Sequence, residues 1–332
     1  MKFLTVFILS INCYLVFSQD IHWSQINSNP LFQNPGNCGL FKEDHRFSFN
    51  LKDQWRTVTK PYTSTSIGYD TKYRYYPKLG LGSILVSDVA GDGTFKTLEM
   101  KAIGSYELFN SKNMHSLRLG IDLGLNYREQ NFNAYMYDNQ YNGYFSDNSI
   151  QTVENNKSSN TINYSVSLGG VWTKRINGSN LIKIGVSSFN LNKPNHSFYG
   201  IKVQRDIRNL IHIQYQQKIY KQMMFIPSIN ISKQGKYTEI LIGALINQQL
   251  EFNDIQNFIL VYGLYYRSMD ALIVTLGTNI KNKYLIGTSY DINISQFTKA
   301  TNGRGSIELS FIYLLNRKLI HKPKQIQCIE YL

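Results

Sequence analysis

The stretch from Phe258 to Leu315 constrains the fold most, because it reads as four successive strands of alternating character separated by turns. Its last strand is the clearest. Ile307, Leu309, Phe311, Tyr313 and Leu315 fall on one face and Ser306, Glu308, Ser310 and Ile312 on the other, since successive strand side chains point to opposite faces. The same period carries Phe258 to Tyr266, Leu272 to Ile280 and Tyr284 to Tyr290. One face is apolar and aromatic; the other is mostly small or polar. Such strands either cover a soluble core or build the wall of a membrane barrel.

The N-terminus sets the compartment. Residues 1–18 read as a signal peptide, with Met1-Lys2 as the positive start, an apolar run from Phe3 to Phe17, and Val16-Phe17-Ser18 before Gln19. Nothing after residue 18 approaches the roughly 20 apolar residues a membrane helix requires, so membrane insertion has to use strands. A mean hydropathy of −0.29 does not argue against that, because lumen-facing polar residues dilute every barrel strand. The 24 Tyr and 18 Phe suit interfacial girdles.

Strands are predicted at about 45–56, 62–70, 79–86, 94–109, 115–127, 161–173, 180–190, 209–220, 224–234, 237–247, 258–267, 271–280, 283–293 and 305–315, fourteen in all. The strand over 115–127 alternates Leu117, Leu119, Ile121, Leu123 and Leu125 against Arg118, Gly120, Asp122, Gly124 and Asn126. Fourteen is even, as a barrel with both termini on one side needs. The longest connections, 128–160, 191–208 and 294–304, are odd-numbered and so point outward, while most even-numbered ones are short. Connection 248–257 breaks that pattern. A soluble sandwich gives no reason for such parity. The reading is therefore an all-β, single 14-stranded antiparallel transmembrane barrel of the outer membrane over 45–315. A periplasmic lead-in over 19–44 precedes it, and a basic periplasmic tail over 316–332 follows.

Chemistry is sparse. The six histidines make no metal-ligand spacing, and no nucleophile elbow, phosphate loop or HExxH helix occurs. Asp88 and Asp92 invite a calcium loop but lack the other spaced ligands, so a tight hairpin over 87–93 accounts for them better. Arg267 with Asp270, and Tyr290-Asp291, could sit in a barrel-wall site, yet ionisable groups in such walls normally turn inward and pair. The expectation is no enzyme, no cofactor and no metal. Without the signal segment, 34 basic residues face 22 acidic ones, a balance of +12 that suits anionic lipid headgroups or an acidic partner. An exported chain without a binding motif leaves nucleic acid out. Cys38 and Cys328 meet an oxidising compartment, which leaves open a disulfide between the two terminal segments. In the longest connection, Tyr135, Tyr137, Tyr141, Tyr144 and Phe145 are candidates for an outward partner-binding surface, because aromatic side chains bury large area at modest entropic cost.

Short pieces in order along the chain resemble the PorP/SprF family of Bacteroidetes outer-membrane proteins. They are Gln19-Asp20-Ile21-His22-Trp23-Ser24-Gln25 with Asn34-Pro35, Asp53-Gln54-Trp55, Ser66-Ile67-Gly68-Tyr69-Asp70 and Asp88-Val89-Ala90-Gly91-Asp92-Gly93. Further on come Gly263-Leu264-Tyr265-Tyr266-Arg267 with Asp270-Ala271, Ser289-Tyr290-Asp291 and Gly305-Ser306-Ile307-Glu308-Leu309. Gly36-Asn37-Cys38-Gly39 departs from the family's usual continuation after Asn-Pro, and the tail is divergent. The resemblance implies a non-enzymatic barrel of the type IX secretion and gliding motility system. Its partner would be the C-terminal domain of a secreted surface adhesin, or periplasmic components of the secretion apparatus. A porin or small-molecule transporter is the alternative reading.

Overall fold

The computed structural model describes residues 20–56, 60–91, 95–111, 114–132, 135, 137–145, 147, 149–150, 160–176, 180–198, 202–252, 255–295 and 298–317. Fourteen strands run β1 (His45–Gln54), β2 (Tyr62–Lys72), β3 (Leu79–Ala90), β4 (Phe95–Ser111), β5 (His115–Glu129), β6 (Asn160–Ile176), β7 (Asn180–Phe189), β8 (Arg208–Tyr220), β9 (Met223–Gln234), β10 (Tyr237–Phe252), β11 (Ile255–Arg267), β12 (Ala271–Ile280), β13 (Tyr284–Asn293) and β14 (Arg304–Leu315). Each pairs antiparallel with its sequence neighbours, and β1 pairs with β14 from His45↔Leu315 to Gln54↔Ser306, closing the barrel. Closure satisfies every strand edge within the chain, which is the condition for putting a sheet in lipid. No helix among the described residues is long and apolar enough to cross a membrane.

The two faces separate as the alternation requires. Ile307, Leu309 and Phe311 of β14 point out, and Ser306, Glu308 and Ser310 point in and are buried. On β5, Leu119, Ile121, Leu123 and Leu125 face outward, while Arg118, Asp122 and Asn126 are buried within. At the seam, Tyr284, Tyr313, Phe47 and Tyr69 make a ring ladder across β13, β14, β1 and β2, with neighbouring centroids 5.1, 6.2 and 4.8 Å apart. Such cross-strand aromatic pairs pin register and seat a girdle at the membrane interface.

Two connections differ from expectation. Polar Gln248, Gln249 and Glu251 make 248–257 look like a loop, yet β10 and β11 pair through this region and leave only 253–254 between them. Strands projecting past the lipid tolerate polar residues on both faces, so the exception to the parity disappears. Ser87 to Ala90 likewise extend β3 against β4 instead of forming a loop. Asp88 accepts a 2.6 Å hydrogen bond from the Ser64 hydroxyl. Asp92 and Gly93 lie outside the described residues, and among those described no cluster of ligating side chains could hold a metal ion.

The lead-in corrects the periplasmic expectation. Residues 20–44 run through the barrel, mostly buried from Trp23 to Gly39 and emerging at Lys42, and carry three short helical turns, Ile26–Ser28, Pro30–Gln33 and Pro35–Asn37. Their burial explains why. Trp23, Leu31 and Phe32 meet Ile84, Val86, Ile103, Phe189, Leu210, Leu241, Tyr265 and Ile273 in an apolar core within the lumen. Those strand positions read as apolar on both faces in sequence because one face meets lipid and the other this plug.

Candidate functional site

The plug enters at the loop end of the barrel and leaves at the end carrying the strand termini. At the loop end Arg205 and Arg208 pair with the Asp20 carboxylate at 2.8 and 3.2 Å, and Gln234 Nε2 donates to it at 2.8 Å. Burial alone would push the Asp20 carboxyl up; Arg205 and Arg208 outweigh it and hold the group below the ordinary carboxylate range. Arg205 belongs to the β7–β8 connection and also reaches Glu99 at 3.5 Å, so the same guanidinium ties outer loop, plug and wall together.

Deeper in, a backbone turn is held by buried ionisable side chains. The N–H groups of Ser24 and Gln25 donate to Glu308 at 2.7 and 3.1 Å. The Ser24 hydroxyl donates to Asp291 at 2.7 Å and accepts from Lys52 at 3.0 Å and Arg267 at 2.7 Å. Arg267 pairs with Asp291 at 3.0 Å and Asp270 at 2.8 Å, and Lys52 lies 3.6 Å from Asp291. Gln25 Nε2 donates to the Glu308 carbonyl at 3.0 Å, a side-chain bond from plug to wall.

The plug continues through amides. Asn29 Nδ2 donates to Ser66 Oγ at 2.7 Å, and Gln33 Nε2 to Asn230 Oδ1 at 2.9 Å. Asn34 Nδ2 donates to the carbonyls of Gly170 and Val186 at 3.1 and 3.0 Å. Pro35-Gly36 passes so close to the wall that a Cβ on Gly120 would overlap the Pro35 backbone, and one on Gly169 would overlap Asn34. Near the other end, Arg46 clasps Asp70 through two bonds of 2.9 and 2.7 Å, and the Gly39 N–H donates to the same carboxylate at 2.7 Å. Arg317, just past β14, donates its backbone N–H to Asp44 at 2.9 Å and its guanidinium to the Lys72 carbonyl at 2.7 Å. The tail therefore starts by fastening the junction of plug and β1.

These contacts give the scattered sequence motifs one role. Ser24-Gln25, Asn34-Pro35, Ser66, Asp70, Arg267, Asp270, Asp291 and Glu308 lie far apart in sequence and meet as the seats of the plug. Arg267 with Asp270 and Asp291 is thus a set of inward groups paired with the lead-in, not a free polar cluster.

Among the aromatic loop candidates, Tyr135, Tyr141, Tyr144 and Phe145 are exposed, Tyr144 at 91%. Tyr137 is half-buried and its hydroxyl donates to the Phe132 carbonyl at 3.3 Å. Cys38 is fully buried beside the Ile103 carbonyl, and burial pushes its thiol up to about 12. Cys328 lies outside the described residues, as do the signal segment and residues 318–332. The plug itself was not legible as such in the sequence; the available signal was the charge carried mid-strand by Lys52, Arg267, Asp291 and Glu308, which demands partners inside a wall.

The family model described as type IX secretion system membrane protein PorP/SprF matches residues 15–313. No protein of curated function matches the sequence. Among solved structures, the toluene transporter TbuX of Ralstonia pickettii is similar at TM-score 0.51 and 8% identity over 87% of this chain and 94% of its own. The Pseudomonas putida toluene transporter TodX gives 0.48 at 7% identity, over 89% and 94% of the two chains. A Pseudomonas aeruginosa FadL homologue gives 0.48 at 9% identity, over 86% and 94%. At 8% identity the likeness to TbuX is one of fold alone, an outer-membrane barrel.

Proposed function

Because this chain belongs to the PorP/SprF family of type IX secretion system membrane proteins, we propose that it is a non-enzymatic outer-membrane component that partners the export or surface anchoring of a secreted protein, such as a gliding adhesin, through that protein's C-terminal domain. The observation that carries this reading is the lumen filled by residues 20–44 from one mouth to the other, with Trp23, Leu31 and Cys38 at or below 1% exposure. A barrel so occupied has its two ends left for work. At the outer end the exposed Tyr141, Tyr144 and Phe145 present rigid aromatic area suited to a protein contact. Deleting residues 132–158 should release the secreted client into the medium while the barrel stays in the outer membrane. Unchanged retention of the client would remove the loop from this role. The porin alternative requires an open lumen and is answered by conductance.

A further inference from the structure

The inner mouth, where the strand termini gather, holds a cavity of about 720 Å³. Six cations line it: Lys42 from the plug exit, Lys72 at the end of β2, Lys78 in the β2–β3 turn, Arg118 on β5, Arg175 on β6 and Lys183 on β7. One carboxylate, Glu107, lines it with them. None of the six makes an ion pair among the described residues, whereas Arg46, Lys52, Lys101, Arg205, Arg208 and Arg267 elsewhere in the lumen all do. Of the nearby carboxylates, Asp70 is held by Arg46 and Gly39 and Asp44 by the Arg317 backbone, while Glu43 and Glu107 act on Lys72 through charge without forming an ion pair among the described residues.

Arg118 makes the imbalance sharper. It is 3% exposed, its Nη1 donates only to the Lys78 carbonyl, the Cys38 carbonyl and the Ser105 hydroxyl, and its buried Nε has no partner. A buried guanidinium without a carboxylate is costly unless an anion completes it. Ser116, Gln214 and Gln216 with Leu40, Phe41 and Leu181 also line it, a mix of amides, a hydroxyl and apolar surface that fits a polypeptide better than a bare phosphate.

We propose that this vestibule is a docking site for an acidic segment of a periplasmic protein, whose carboxylates pair with Lys78, Arg118, Arg175 and Lys183. The site faces opposite to the aromatic outer loop and stands independently of the proposed role of that loop. The barrel would then be engaged from both sides of the membrane, with the plug between the two contacts.

The test uses the full chain in zwitterionic detergent and a fluorescein-labelled oligoglutamate peptide followed by anisotropy. Binding should weaken as ionic strength rises from about 0.05 to 0.5 M. The double variant Lys78→Glu/Arg175→Glu, on exposed positions, should weaken it by at least about tenfold. Lys202→Glu/Lys299→Glu at the outer end makes the same change in net charge and should leave binding within about twofold. Folding of each variant is checked by the mobility shift between unboiled and boiled samples on a gel. Equal loss in both variants, or no binding to the folded barrel, overturns the proposal. Tight binding of tripolyphosphate with none of oligoglutamate would assign the site to phosphate and overturn it as well.

Discussion

The upper lumen and the inner vestibule are built from the same kinds of charged residues and treat them in opposite ways. Above, Lys52 and Arg267 meet Asp291, Asp270 and the Ser24 hydroxyl, and Arg205 and Arg208 meet Asp20. Below, six cations line a cavity with a single carboxylate, Glu107, and none of them forms an ion pair among the described residues. In the first region ionic groups hold a piece of the chain's own backbone in one register. In the second, Lys72 donates to the Lys42 carbonyl and Arg118 to the Lys78 and Cys38 carbonyls, and none of the six forms an ion pair among the described residues. Paired charge here is structural, and unpaired charge marks a surface turned toward something else.

The largest effect is expected at Asp291. Replacing it by Leu leaves fully buried Lys52 without its ion-pair partner and strips Arg267 of one of two, so unfolding should become easier by about 3–5 kcal/mol. Urea titration of the barrel in detergent reads this directly. A change near zero would mean that the pairs do not anchor the plug. At the narrowing above the vestibule, Gly120→Val drives a side chain into the Pro35 backbone and should cost about 1–3 kcal/mol, with proteolysis within residues 20–44 as a second readout. Gly104, with nothing near its Cβ, gives the control: Gly104→Ala should lack that overlap penalty and leave residues 20–44 protected.

The pH dependence sharpens the same contrast. The Asp20 carboxyl is depressed in the folded protein, so its stabilisation is fully present above the unfolded value near about 3.9 and is lost as pH falls through the folded value. The stability gap between wild type and Asp20→Asn should therefore be full near neutrality and shrink below about pH 4. A gap independent of pH would detach Asp20 from Arg205 and Arg208. The smallest effect belongs to Arg56, which pairs with Asp53 in solvent at the outer rim. Arg56→Ala should shift stability by less than about 1 kcal/mol.

The wall was legible in the sequence because a strand carries its own signal. Period two in 305–315 and 115–127 needs no knowledge of any other part of the chain, and the structure has β14 over Arg304–Leu315 and β5 over His115–Glu129. The rims were less legible. Gln248 to Glu251 look like loop because polarity, not pairing, is what sequence displays. The plug was legible least. Its turns carry no period, since Ser24, Asn29, Gln33 and Asn34 take their partners from strands up to 284 residues away. Its seats appeared only as short motifs and as charges lodged mid-strand, and their convergence is a property of closure. The vestibule shows the same limit, because its cations come from the plug and five separate stretches of wall.

The chain's own residues 20–44 occupy the lumen, and single-channel recording in planar bilayers tests that occupation most directly. The wild-type barrel should give no steady conductance steps, and a variant lacking residues 20–38 but retaining β1 to β14 should give them. Stable open steps from the wild-type protein, equal to those of the truncated variant, would contradict a sealed lumen and make small-molecule passage the function to pursue.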